Sequence, residues 1–194
     1  MANPDRPSGF KFVRDMHGAS EPTIVYFDIG TVTGGLGRGH PCKIDGSGNA
    51  VELDGTFGND DETAGTGIFI CQKACVTGDT DVPFIPASDS IFEVQADDNA
   101  PWTTKATLKA YMNALGAPTT PWFQLTNATA APNSLGMSIC ELAGASPHAT
   151  AGYIRIVGWP DRPDNREYGA FQKVHVRWNS LLMEDSTDFV HVST

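Results

Sequence analysis

Tyr153-Ile-Arg-Ile-Val-Gly-Trp159, Pro160-Asp-Arg-Pro-Asp-Asn165 and Tyr168-Gly-Ala-Phe-Gln-Lys-Val-His-Val-Arg-Trp-Asn179 follow one another near the end of the chain. The first arm alternates, with Ile154 and Ile156 on one face and Arg155 on the other. The second does the same, with Val174, Val176 and Trp178 against Lys173, His175 and Arg177. A two-residue period built from β-branched and aromatic side chains predicts half-buried strands. The polar insert holds two prolines and three Asp or Asn residues, a set that turns the chain and cannot continue a central strand. The stretch predicts a wide β-hairpin, because the insert is longer than a two-residue turn. His175 falls on the polar side and is expected at the surface.

Outward from this hairpin the same grammar recurs. Strands are predicted at residues 23–29, 42–44, 50–53, 67–75, 90–96 and 136–142, with a last one near 189–192, and 121–125 is a short apolar run. In 90–96, Phe92 and Val94 point inward and Glu93 and Gln95 outward. Residues 79–90, which contain Pro83 and Pro86, read as loop, as do 143–150. One helix is predicted, over 103–115, with an apolar stripe at Leu108, Tyr111 or Met112, and Leu115, a threonine cap, and Gly116 just past the end. The chain of 194 residues carries 20 Gly and 13 Pro, and 40% of it is hydrophobic. This is turn-rich all-β composition with enough apolar material for a core. The expected fold is an antiparallel barrel or sandwich with one short helix. Residues 1–21 are expected to form an extended N-terminal arm and 22–194 the β-rich body, within which 97–150 could be a small subdomain.

Charge narrows the function classes. There are 13 Lys and Arg against 23 Asp and Glu, a formal net charge of −10. Such a chain repels a phosphate backbone, so nucleic acid is not an expected partner. No apolar run is long enough to cross a membrane as a helix, and the polar start does not read as a signal peptide, which points to synthesis in a cytoplasm. In that reducing compartment Cys42, Cys71, Cys75 and Cys140 are expected to be free, mostly buried thiols. As strand neighbours, Cys71 and Cys75 would share a face too far apart to bridge.

Chemistry-bearing patterns are sparse. The glycine-dense Thr33-Gly-Gly-Leu-Gly-Arg-Gly-His-Pro41 leads to another strand-like run rather than a helix, so it does not read as a phosphate cradle. Asn59-Asp-Asp-Glu62 lacks the ligand spacing of a helix-flanked calcium loop and reads as a solvated loop. The five histidines show no metal-like pairing, and the strained nucleophile turn is absent. No catalytic residue, metal or cofactor is expected.

The opening Met1-Ala-Asn-Pro-Asp-Arg-Pro-Ser-Gly-Phe-Lys-Phe-Val-Arg14, the blocks Gly39-His-Pro-Cys-Lys-Ile-Asp-Gly46 and Phe92-Glu-Val-Gln-Ala-Asp97, and the closing hairpin resemble, in that order, a family of tailed-bacteriophage head decoration (cement) proteins. The resemblance implies a non-enzymatic virion protein, made in the host cytoplasm and bound to the outer surface of the capsid. Its implied partners are the major capsid protein and itself, as a homotrimer first and a homodimer second. The expected contact residues are Phe10, Lys11, Phe12, Val13 and Arg14, on an arm that is mobile until it docks. The alternative class is a host- or carbohydrate-binding fibre or spike module. Trp102 and Trp159, each beside a proline, could offer it stacking platforms, whereas Trp178 reads as core.

Overall fold

The computed structural model describes residues 3–53, 67–112, 122–127, 130–148 and 154–178. Among these residues the fold is all-β with one short α-helix: two antiparallel sheets built from eleven strands. The strands are β1 Lys11–Asp15, β2 Val25–Phe27, β3 Pro41–Ile44, β4 Ala50–Glu52, β5 Phe69–Cys71, β6 Val82–Pro86, β7 Ser90–Gln95, β8 Trp122–Thr126, β9 Glu141–His148, β10 Ile154–Gly158 and β11 Lys173–Trp178, with helix α1 at Lys105–Met112. The six-stranded sheet runs β1-β7-β11-β10-β8-β9 and the five-stranded sheet β2-β6-β5-β3-β4. The six-stranded sheet curls. At its far edge an isolated bridge joins Ala96, just past β7, to Leu142 of β9, and the Asp97 amide donates to the Leu142 carbonyl at 3.0 Å.

The predicted hairpin is present. β10 and β11 pair antiparallel, Ile154 opposite Trp178 and Ile156 opposite Val176, with Ile154, Ile156, Val174, Val176 and Trp178 all buried. Its long connection is closed by one side chain. Buried Asn165 accepts from the Lys173 amide at 2.6 Å and donates to the Pro160 and Lys173 carbonyls, each at 2.9 Å. The Pro160 carbonyl and both backbone groups of Lys173, at the mouth of the connection, are satisfied in this way.

Sheet alternation sorts the apolar residues into two cores. Ile70 of β5 and Ile85 of β6 join Phe10, Phe92, Val94, Trp102, Phe123 and the hairpin residues in the larger core, between the two sheets. Cys71, Val82 and Phe84, one residue out of phase, face a second core with Ile29, Leu36, Cys42, Ala50 and Cys75. Helix α1 adds Leu108 to the larger core, with Tyr111 and Met112 packed against it. Its start is held by Thr104 and Thr107, each side-chain oxygen accepting from the other's amide, at 3.2 and 3.0 Å. This is a reciprocal cap of the kind that satisfies two orphan amides at once.

Several expectations change. Residues 82–86 form a central strand, not a loop. Its prolines sit where the ladder needs no amide: Cys71 of β5 ends opposite Phe84, so Pro83 lies beyond that partner, and Val25, the first residue of β2, is also opposite Phe84, so Pro86 lies past β2. β9 extends through residues expected as loop, to His148. The N-terminal arm is not separate. β1 pairs with β7, and Phe10 is 2% exposed, its ring 5.4 Å from Trp178 and 6.1 Å from Phe92. Asn3 donates to the carbonyls of Glu167 and Ala170. Residues from 97–148 supply α1, β8 and β9 to the same sheet and core, so they form no subdomain among the described residues. Gln95, expected outward, is buried under the N-terminal segment, where it accepts from the Arg6 amide. Leu115, the Asn59–Glu62 loop and the 189–192 strand fall outside the described residues.

The glycine-dense segment has a structural use. Gly39 adopts φ +85, and a Cβ there would lie 2.7 Å from the Ser8 carbonyl oxygen and 3.0 Å from the Phe10 amide. A Cβ on Gly37 would meet the Ser138 amide at 2.5 Å. Backbones from three distant parts of the chain cross here, and only residues without a side chain permit the approach.

Candidate functional site: a basic sheet face

The five expected contact residues separate once β1 is placed. Phe10 belongs to the core, so it is not available to a partner. Phe12 lies opposite Phe92, half-buried, with the rings 6.2 Å apart. The register shifts between Phe12 and Arg14, leaving Val13 in a bulge. Lys11 and Arg14 alone are exposed, and the bulge puts both on the outer face of the sheet.

Cross-strand register then assembles a surface that no local motif contains. Arg14 is opposite Ile91, Ile91 is opposite Arg177, and Arg177 is opposite Arg155, one row across β1, β7, β11 and β10. The next row on the same face reads Lys11, Glu93, His175 and Gly158, and the next pairs Gln95 with Lys173. With Arg162 from the hairpin connection, this face gathers Lys11, Arg14, Arg155, Arg162, Lys173 and Arg177, six of the chain's 13 Lys and Arg.

The two rows differ electrostatically. Around Glu93 the charges are matched. Arg162 reaches Glu93 at 2.9 Å and Asp164 at 3.3 Å, and Lys173 reaches Asp164 at 3.3 Å. His175 Nε2 lies 3.9 Å from Glu93. Burial holds the His175 pKa below its ordinary value, with Glu93 opposing and the Arg162 and Arg14 charges reinforcing the shift. His175 lies on the outer face as expected, but half-buried rather than freely exposed. The arginine row is not matched. Arg155 donates to the Met112 carbonyl at the end of α1, at 3.1 Å. Arg14 and Arg177 have no ion pair among the described residues, and Arg155 stands directly opposite Arg177. Like charges facing each other across a strand pair cost stability.

Other clusters have structural roles. Gln95 donates to Asp5 at 3.1 Å and to Glu141 at 2.9 Å, tying the N-terminal segment to β9. Burial, with the nearby charges of Asp5, Asp97 and Asp98, outweighs the Gln95 bond and pushes the Glu141 carboxyl up to about 7. Ser138 Oγ and His40 Nδ1 are 3.4 Å apart, but both are fully buried, and Ser138 already accepts from the Cys140 amide. An open cleft of about 520 Å³ beside β1 is lined by Phe10, Phe12, Ile85, Arg38 and Gln72 among others, and brings no acid–base pair together.

All four cysteines are free and buried, as read from the sequence. The spacing argument for Cys71 and Cys75 needs correction, because the chain turns after β5 and sets their sulfurs 3.7 Å apart. Of the tryptophans, Trp102 is fully buried and donates to Gln172 at 2.7 Å, so it is no platform. Trp178 is core, as expected. Trp159 is half-buried, edge-on to Tyr168, with the Lys105 ammonium 5.8 Å from its ring.

The chain matches no family model, no curated protein and no solved structure.

Proposed function

We propose that this chain is a structural protein of a tailed-phage particle, a decoration protein that binds the outer surface of the head and stabilises the shell. The observation that carries the reading is the ordered set of sequence blocks, from the opening residues through 39–46 and 92–97 to the closing hairpin. The all-β build and a charged sheet face suited to docking are in keeping with it. The partner is then the major capsid protein, and the chain acts as a homo-oligomer. A trimer fits the three-fold and quasi-three-fold positions of an icosahedral shell, and a dimer at two-fold positions comes second. Sedimentation at micromolar concentration should show a defined oligomer, and monomer alone would count against both states.

Quantitative mass spectrometry of purified particles, with an image reconstruction of the head, tests the role. The expected result is a copy number comparable with that of the capsid protein and density on the outer shell. Absence from the particle overturns the reading. A few copies confined to a fibre would favour the second reading, a host- or carbohydrate-binding module. Trp159, with its Tyr168 neighbour, is the feature that supports that alternative, and a glycan array would test it.

A further inference from the structure

We infer that the row Arg14–Arg177, on the outer face of β1, β7 and β11, docks an acidic patch on a folded protein partner. The inference takes that partner's identity, a capsid subunit, from the decoration reading, but its chemistry from this face alone.

Three observations carry it. First, the row concentrates unmatched positive charge. Arg14 and Arg177 flank Ile91 two strands apart, so their backbones are separated by about 10 Å. Neither has an ion pair among the described residues, whereas beside the adjacent row Arg162 and Lys173 pair with Glu93 and Asp164. Arg155 opposite Arg177 adds like-charge repulsion that the fold does not require. An anionic partner relieves that repulsion, and the planar guanidinium fork takes a carboxylate through two parallel hydrogen bonds.

Second, the scale of the patch selects among anions. It spans four strands, roughly 15 Å. The rest of the sequence holds seven Lys and Arg against 21 of the 23 acids. A nucleic acid duplex or a charged membrane extends well past so small a patch and would then face the acidic remainder. A local cluster of carboxylates on a protein would not. Third, the surface is rigid. The cations project from paired strands, and Lys173, beside them, is fixed by the Asn165 clamp on its backbone. Little ordering cost remains for binding.

The test uses the full chain and three probes: immobilised poly-L-glutamate, a DNA duplex, and vesicles of phosphatidylserine and phosphatidylcholine. Poly-L-glutamate should bind best, and more weakly as salt rises. Arg14→Glu/Arg177→Glu should lose about tenfold or more in affinity, while Lys109→Glu on exposed α1 should not. Circular dichroism and thermal melting check that the variants fold, and the milder Arg14→Gln/Arg177→Gln, expected to show a smaller loss, serves if the reversal does not. Equal binding by the folded variants, no binding of poly-L-glutamate by the wild type, or stronger binding to DNA or vesicles overturns the inference. Uptake by undecorated heads separates it from the decoration reading. If heads accept wild type and reversal variant alike, the row is not the docking surface, though decoration stands. If heads accept neither while the poly-L-glutamate result holds, decoration fails and the surface stands.

Discussion

Phe10 shows how a residue's position in the chain can mislead about its role. It sits close to the N-terminus between prolines and charges, yet its ring is enclosed by Phe92 and Trp178. Phe10→Ala should destabilise the fold by about 3–5 kcal/mol, measured by urea unfolding; a change under about 1 kcal/mol would place the ring outside the core. Asn165 is legible only as a turn former, since nothing local shows that its amide serves three backbone groups. Asn165→Ala should cost about 1–3 kcal/mol, because it leaves backbone polar groups of the connection unpaired. Glu141 makes a pH-dependent prediction. Its folded pKa is raised to about 7 from 4.5. The folded state therefore keeps a proton that the unfolded chain releases, and stability from this group falls as pH rises from about 4.5 to 7, then levels off. Glu141→Gln should raise the urea midpoint at pH 8, by about 1–2 kcal/mol in stability, and change little at pH 4. An unchanged midpoint at pH 8 would mean the carboxylate is not penalised.

At the scale of elements, strands with clean alternation were readable. The β10–β11 hairpin falls where period-two patterning puts it, because it buries one face, and the β3–β4 hairpin flanks the turn read at 45–49. β7 also lies where its alternation puts it, although it is buried on both faces except at Glu93. β6 was hidden by Pro83 and Pro86, since local sequence does not reveal that the neighbouring strands stop before each proline's missing amide. The basic face was hidden for a different reason. Arg14, Arg155 and Arg177 come from three strands, and only their register places them in one row. β1 carries the sharpest consequence at this scale. It lies at a sheet edge but fastens both the sheet and the core, so deleting residues 2–14 should lower the melting temperature markedly rather than leave the fold intact. A deletion variant that melts like the full chain would show that β1 contributes nothing to the fold.

For the molecule as a whole, composition indicated an all-β body with a substantial core, and the two sheets bear that out. It did not indicate that one sheet would serve both cores, because that depends on how the 28–40 segment folds back over β5 and β6. The buried thiols give a whole-molecule test. Burial pushes the Cys42 and Cys140 thiols upward in pKa, and the bond to Cys71, then burial, does the same for Cys75. At these three little reactive thiolate forms at neutral pH, and Cys71 is fully enclosed. A thiol reagent should therefore modify the native protein very slowly and find four groups after denaturation without reductant. Two groups, or fast native labelling, would contradict the buried, unbridged assignment.

The pairing of the first strand with the middle and end of the chain also governs how the protein can be made. A ribosome releases Asn3 and Phe10 well before β7, Glu167, Ala170 and Trp178, which hold them. Nascent chains carry Phe10 without its Trp178 neighbour until residue 178 has been synthesised. Prematurely terminated chains lacking β11 would keep one edge of β7 open, the kind of surface on which intermediates aggregate. Polypeptides ending before Lys173 should accumulate in the insoluble fraction, while the 194-residue chain partitions to the supernatant.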